Sequence, residues 1–463
     1  MPSLSSLSST RFRQRGAAIL PPPPFVPPSI LHGKRSHLSA PPSALFDTSS
    51  TQWRLCRMWR ASLKLTSVML VLVIFVIALG AWTRLVDAGL GCPDWPGCYG
   101  ALVVPDAQVA SLHSPHHPLE SYKAWAEMIH RYAASSLGLA AIGLVILGLR
   151  IKRLEKLVSR SSKRPPSLNR SQSLNKATAT SPAHFPLTAC WLLLGVLLVQ
   201  GAFGAFTVTL KLWPQVVTLH LLGGLAVMSL LVVLWLTLRQ RLGDRTLVRP
   251  RAEIEIAPAA VQSTRLHQPW LVTAAVVALI VQLALGGWTS SNYAGLACTG
   301  FPGCNDSLWP TMDWGEGFHL TQDVGPSYLY GQLHGEARTA IHMAHRGGAL
   351  LLGGILMALY WRQRRYGRWQ WRVTARAEAR PIHRALGKFS GRPHNPWRWV
   401  LVCWGLQAVL GIANVLWWLP LDLALAHTLG AVALTGALVL GVHETRKPRE
   451  EIRLANTRDH AIK

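Results

Sequence analysis

The sequence predicts an all-α integral membrane protein whose eight transmembrane helices form two tandem, pseudo-symmetric four-helix bundles. Three observations predict it. Apolar residues fall into eight blocks of about 20, enough to cross a bilayer core of about 30 Å. Lys and Arg gather in alternate loops between those blocks. One motif occurs twice: Gly80-Ala81-Trp82-Thr83, leading to Cys92-Pro93-Asp94-Trp95-Pro96-Gly97-Cys98, returns as Gly286-Gly287-Trp288-Thr289, leading to Cys298-Thr299-Gly300-Phe301-Pro302-Gly303-Cys304, with ten of nineteen aligned residues identical. Such self-similarity means one structural unit used twice.

Residues 1–60 precede the first block. They are rich in Ser, Pro and Arg, hold one acid, Asp47, and contain the run Pro21 to Pro24, so they are expected to be a disordered leader. The bias resembles a mitochondrial transit peptide, but the prolines break the amphipathic helix such a peptide needs. The alternative is that translation starts at Met58. Spans at 65–83, 126–149, 187–208 and 215–238 place a first bundle within 61–240. A linker over 241–266 leads to spans at 269–289, 339–361, 398–418 and 421–442, a second bundle within 267–445, and a tail over 446–463.

The position of the net charge of +26 matters more than its size. The stretch from Arg150 to Lys176 carries nine basic residues, that from Arg239 to Arg265 six and that from Arg362 to Arg398 eleven. Ser290 to Ala337 carries none, and holds Asp306, Asp313, Glu316, Asp323 and Glu336. By the positive-inside rule both termini and the basic loops are cytoplasmic, or face a matrix. No aromatic residues interleave the basic runs in a folded module, which argues against nucleic acid as the partner of this charge.

The seven cysteines divide by side. Cys92, Cys98, Cys298 and Cys304 fall in the two outer loops, where a six-residue separation containing Pro and Gly lets each pair meet and an oxidising compartment favours a disulfide. Such pairs serve as structural staples or as redox-active thiols. Zinc is the weakest reading, since no His stands at finger spacing. Cys56, Cys190 and Cys403 read as small apolar residues.

His130, His220, His345 and His427 all lie one to two turns into even-numbered spans, hence at similar depth in the outer half of the bilayer. Polar groups are costly in hydrocarbon and usually functional there. Two imidazoles facing one another across a four-helix unit form the ligand set for one haem iron, so each half offers one bis-histidine site. Glu127 stands one turn before His130, whereas His342 takes that place before His345 and reads as a supporting partner or a further ligand. Arg131 and Arg346 are candidates either for pairing with haem propionates or for capping at the membrane interface. Gln200 and Gln407 each precede a histidine by twenty residues, and Gly201, Gly204, Gly223, Gly224, Gly405, Gly411, Gly430 and Gly436 allow close helix approach or leave room for a flat macrocycle.

These residues together resemble the haem A synthase family, membrane enzymes that mature haem for terminal oxidases. The likeness covers about 60–445 and rests on the Gly-Trp-Thr-Arg and cysteine-loop motifs, on Glu127-x-x-His130-Arg131, on Gln200 and Gly204 with Thr207-Val208-Thr209 leading to His220, and on their second-half counterparts. The resemblance implies that His345 and His427 ligate a resident haem b, that His130 and His220 hold the substrate haem o, and that Glu127 is the essential acid beside it. The family reaction oxidises a ring methyl group to a formyl group by successive hydroxylations and loss of water. The residues name neither the oxidant nor the electron donor. Haem O synthase and oxidase assembly factors are implied partners beside the lipid bilayer, and homo-oligomerisation is left open. Two cysteine pairs fit the bacterial pattern, hence a multi-pass protein of the bacterial inner membrane.

Three other classes compete. A di-haem b electron-transfer protein of the quinol-oxidising or b561 type would use the same histidines symmetrically, which Glu127 in one repeat alone argues against. A membrane thiol oxidoreductase would leave the histidines without purpose. A transporter reading finds no broken helix with a charged lining, and four spans per unit give the two copies one orientation.

Overall fold

The structure, a computed structural model, describes residues 48–162, 184–246, 269–378 and 395–459. Among the described residues the secondary structure is helical, with two isolated β-bridges and no strand. The order is α1 (Thr48–Leu85), α2 (Ala107–His113), α3 (Ser121–Ser162), α4 (Leu187–Thr209), α5 (Pro214–Thr246), α6 (Pro269–Ser291), α7 (Trp314–Gly317), α8 (Gly335–Glu378), α9 (Trp397–Leu416) and α10 (Leu421–Asp459). Eight of these, all but α2 and α7, are long and apolar enough to cross a membrane, and each overlaps one expected span.

Helix adjacency makes two closed rings. α1, α3, α4 and α5 pack in sequence around the first, and α6, α8, α9 and α10 around the second. Contacts of α1 and α5 with α10, and of α5 with α6, join them. At the end carrying the cysteine loops a polar clasp adds to this junction: Arg84 Nη2 donates to the Ser290 carbonyl at 2.7 Å, its guanidinium lies 3.9 Å from the Tyr293 ring centre, and the Tyr293 hydroxyl donates to Asp87 at 2.8 Å. Burial pushes the Tyr293 phenol up in pKa against the pull of Arg84. The long loop between α6 and α8 also lies over the α4–α5 turn, where Trp213 Nε1 donates to Gln322 O at 3.1 Å and Tyr328 N to Lys211 O at 3.0 Å.

The helices overrun the expected spans because Arg and Lys are good helix formers whose stems cover apolar surface while their charges reach water. α3 and α8 therefore continue past 149 and 361, α5 enters the expected linker, and α10 runs through most of the expected tail. The leader expectation is corrected over 48–60. α1 begins at Thr48, since the stretch after Ser50 has no Pro or Gly before Gly80 and Leu55 and Trp59 are buried in the first core. The remainder of the leader, the greater part of the basic linker, residues 163–183 and 379–394 of the two long basic loops, and residues 460–463 lie outside the described residues.

Each ring has its apolar core at the end away from the cysteine loops. In the first, Trp59, Met69 and Val73 of α1 meet Leu144 and Ile151 of α3, Leu193 of α4 and Leu231, Leu234 and Leu238 of α5. In the second, Leu271 and Leu279 meet Leu352, Leu356 and Leu359, Trp397 and Val400, and Leu434 and Leu438. Hydroxyls within the spans turn back on their own helices, as Thr66 does to Ser62 O at 2.8 Å and Thr289 to Leu285 O at 2.7 Å, which satisfies groups that lipid would leave unpaired. Both cores stop below the level of the four histidines.

Candidate functional site

The histidine layer is built from one local device. An odd-numbered span carries a glycine, and the imidazole of the next span lies on it: a Cβ at Gly80 would meet His130 Cε1 at 2.9 Å, at Gly204 His220 Cε1 at 3.3 Å, at Gly286 His345 Cε1 at 3.2 Å and at Gly411 His427 Cε1 at 3.1 Å. The missing side chain also exposes the helix backbone one turn earlier. His130, His220 and His427 thus lie against the carbonyls of Val76, Gln200 and Gln407. That contact suits a metal ligand, because a ring that offers Nε2 to a metal carries its proton on Nδ1 and needs an acceptor there.

Three of the four histidines carry a second fastening. Gln200 Nε2 donates to the His220 carbonyl at 2.6 Å and lies 3.0 Å from its Nδ1. Gln282 does the same to His345 at 3.0 and 3.1 Å, and Gln407 donates to the His427 carbonyl at 2.8 Å. Each amide fills a notch left by the glycine three residues after the histidine, since a Cβ at Gly223, Gly348 or Gly430 would meet the glutamine Oε1 at 2.0, 2.3 or 2.1 Å. Each glutamine stands four residues before its facing glycine, as Gln200-x3-Gly204, Gln282-x3-Gly286 and Gln407-x3-Gly411. Val76 occupies that place before Gly80, and Ala133 replaces the notch glycine after His130.

Two imidazoles that bind one metal from opposite sides through bonds of about 2 Å have ring centres about 6 Å apart. The rings of His345 and His427 stand 6.5 Å apart at 77°. His130 and His220 are close enough to interact electrostatically. His130 and His427 have buried Nδ1 atoms with no hydrogen-bond partner of good geometry. Paired imidazoles, glycine faces and cores that end below this level all fit an iron porphyrin. No group of three or more His, Cys, Asp or Glu suited to a metal occurs among the described residues, and a haem iron needs only two protein ligands.

Glu127 and the two arginines serve the loops above this layer. Glu127 is buried; one carboxylate oxygen accepts from the Cys92 N–H at 3.0 Å, and the other pairs with Arg131 Nη2 at 2.5 Å. Arg131 then donates to the carbonyls of Pro96 and Gly97. In the second half His342 Nδ1 meets Ala294 O at 2.9 Å, and Arg346 donates to Gly303 O at 2.7 Å and Gly300 O at 3.1 Å. Both arginines therefore clasp the backbone of a cysteine loop, and the buried Arg346 Nε has no hydrogen-bond partner. The loops are closed by Cys92–Cys98 and Cys298–Cys304, with Cα–Cα separations of 4.9 and 4.6 Å. Cys56, Cys190 and Cys403 are free thiols.

Sequence reasoning found the four histidines, both disulfides, Gln200 and Gln407. It missed Gln282 and the four facing glycines as a set. The Gln-x3-Gly spacing, present three times within apolar spans as Gln200-x3-Gly204, Gln282-x3-Gly286 and Gln407-x3-Gly411, is the signal that would have found them.

Comparison with known proteins agrees with this architecture. A family profile described as cytochrome oxidase assembly protein, COX15-CtaA, matches residues 64–439. The haem A synthase of Shewanella oneidensis is 36% identical over 379 residues, 81% of this chain and 94% of that protein. The haem A synthase of Paracoccus denitrificans is 26% identical over 407 residues, 83% of this chain and 87% of that protein. An eight-span helical chain, matched along its whole membrane region and over nearly the full length of these relatives, belongs to the COX15-CtaA family of cytochrome oxidase assembly proteins.

Proposed function

We propose that this chain is a haem A synthase, which oxidises a methyl group of haem o to the formyl group of haem a for terminal oxidase biogenesis. The observation that carries the reading is the recurrence of one histidine–glycine device on all four helix pairs, with one resulting pair of imidazoles at the spacing of two axial ligands. In this reading His345 and His427 hold a resident haem b and His130 and His220 hold the substrate. The bound haem b supplies one-electron chemistry; the chain supplies the rest. Glycine faces fix the depth of each ring, and the apolar spans admit a greasy macrocycle directly from the bilayer.

Glu127 is the acid beside the substrate site. Its carboxylate, shared between a loop N–H and Arg131, is held one turn from His130, where it can take up or return a proton or balance positive charge developing at the porphyrin edge. Arg131 and Arg346 each give part of their guanidinium to the loop carbonyls, and the remaining N–H donors, the buried Arg346 Nε among them, stay open to a haem propionate. The cysteine loops face outward and the basic loops the cytoplasm of a bacterial cell membrane, a placement supported by the basic asymmetry and the two disulfides.

The test is pigment extraction from purified protein. Haem b together with haem o, haem a or an oxidised haem o is expected. Haem b alone, in two copies, would support a di-haem electron-transfer protein instead.

A further inference from the structure

We infer that the seam between α3 and α4 takes the isoprenoid chain of the substrate macrocycle, and that Trp404 shuts the matching seam of the second bundle against such a chain. The inference rests on the proposed function, in which the first bundle binds a haem that carries a farnesyl chain and the second a haem that lacks one. On α8, Gly353 follows His345 by eight residues, and on α9 Trp404 precedes Gln407 by three. The Trp404 ring lies so close on Gly353 that a Cβ there would overlap it, and its Nε1 donates to the Ala349 carbonyl of α8 at 3.1 Å. Gly353 is buried. One indole thus fills the α8–α9 seam and is hydrogen-bonded across it.

The first bundle keeps the glycine and lacks the ring. Gly138 follows His130 by eight residues, and Leu197 precedes Gln200 by three. Nothing lies within 4 Å of where a Cβ on Gly138 would stand, and Gly138 is partly exposed. Leu197 packs on the first core, is shorter than an indole and offers Ala134, the counterpart of Ala349, no hydrogen bond. Toward the cytoplasmic end the seam closes, because Phe185 and Leu187 lie on Gly148, where a Cβ would meet them at 2.7 and 2.9 Å. The gap is therefore a window with a floor, about 12 Å inward of His130 along α3.

Place and chemistry suit the chain. A farnesyl group is apolar and long, so it has to run from a site between helices toward hydrocarbon. The outer end of the bundle offers it the Glu127–Arg131 pair and loop carbonyls, polar groups that lose hydrogen bonds when covered by an apolar chain. The window offers it leucine, bare glycine backbone and lipid beyond. Gly138, Leu197 and Trp404 are accordingly specificity-determining residues: they select by the presence or absence of a tail and leave the paired histidines of the two bundles alike.

The test reads which haem each variant carries, in full-length protein purified from membranes of cells that make both haem b and haem o. Pigments are extracted, separated and counted per chain. Leu197→Trp, which copies the second seam into the first, should lower bound haem o and its oxidised products by about tenfold, the scale of overpacking a filled seam. Haem b should rise toward two per chain in this variant, since a macrocycle without the tail still fits, and a merely misfolded bundle would show no such gain. Trp404→Leu, the reverse change, should let added haem o replace haem b in the second bundle, whereas Trp404→Phe keeps a ring over Gly353 and should refuse it. Unchanged haem o in Leu197→Trp, the result expected if bilayer lipid alone fills the window, overturns the inference. So does loss of haem o from that variant without a gain of haem b, or a Trp404→Leu protein that refuses haem o; this last arm decides alone where Leu197→Trp does not fold. Wild-type protein that yields only haem b would remove the proposed function, while the Trp404→Leu titration with haem o still reads the seam.

Discussion

The two bundles differ most where they are otherwise most alike. Around His345 the chain places Gln282, Gly348 and His342; around His130 it places Val76, Ala133 and Glu127 at the same positions. In the second bundle the histidine is tied by an amide and its upstream neighbour is a neutral-capable ring bonded to Ala294 O. In the first the tie is gone and the neighbour is a buried carboxylate paired with Arg131. The frame of glycine faces, cysteine loops and arginine clamps is shared by both. The lesson is that one arrangement of glycine faces, cysteine loops and arginine clamps recurs in both bundles, while the side chains beside one histidine of each bundle differ.

The largest expected effects come from removing ligands. His345→Ala should lose haem b, whereas His130→Ala should keep haem b and lose conversion of haem o, both read by chromatography of extracted pigments. Loss of haem b from the His130 variant alone would reverse the assignment of the two bundles. Next, Glu127→Gln keeps an acceptor for the Cys92 N–H but removes the charge, and should lower conversion by about 10² to 10⁴ with haem b retained. His342→Gln, its counterpart, should change conversion by no more than a few fold. Comparable losses from both would mean that Glu127 acts as loop support only.

The clamps sharpen the comparison in stability. Arg131→Ala leaves a buried carboxylate unpaired and should destabilise the protein by about 3–5 kcal/mol. Arg346→Ala strands only carbonyl oxygens and should destabilise it by about 1–3 kcal/mol. Thermal unfolding in detergent reads the difference, and equal losses would show that the Glu127–Arg131 pair adds nothing. The staples come last, with an effect on stability like that of Arg346 and none on activity. Replacing either cysteine pair by serine opens a short loop and should lower stability by about 2 kcal/mol while activity survives. Abolished conversion in a variant that still folds and keeps haem b would assign the thiols a redox role.

Much of this was legible in the sequence because membrane constraints are severe. Eight apolar blocks became eight long helices, and the histidines stood out because polar side chains are rare inside such blocks. What stayed hidden depended on contacts between helices. Gln282 looks like one polar residue in an apolar run, and its meaning appears only with Gly348 and His345 beside it. Arg131 and Arg346 stand out by charge as candidates for anions or the interface, whereas their contacts with the cysteine-loop carbonyls depend on how those loops fold back over them. Helix ends were also obscured, since hydropathy marks where lipid ends rather than where the helix does. α1 thus starts at Thr48, well before its apolar block.

The most direct measurement is the number and identity of haems in the purified chain, compared with those in His130→Ala and His345→Ala. Two haems per chain are expected in the wild type, with haem b surviving only the first substitution and haem o or its oxidised products retained more firmly by the second. A single haem per chain, or one pigment lost equally from both variants, would contradict two separate bis-histidine sites.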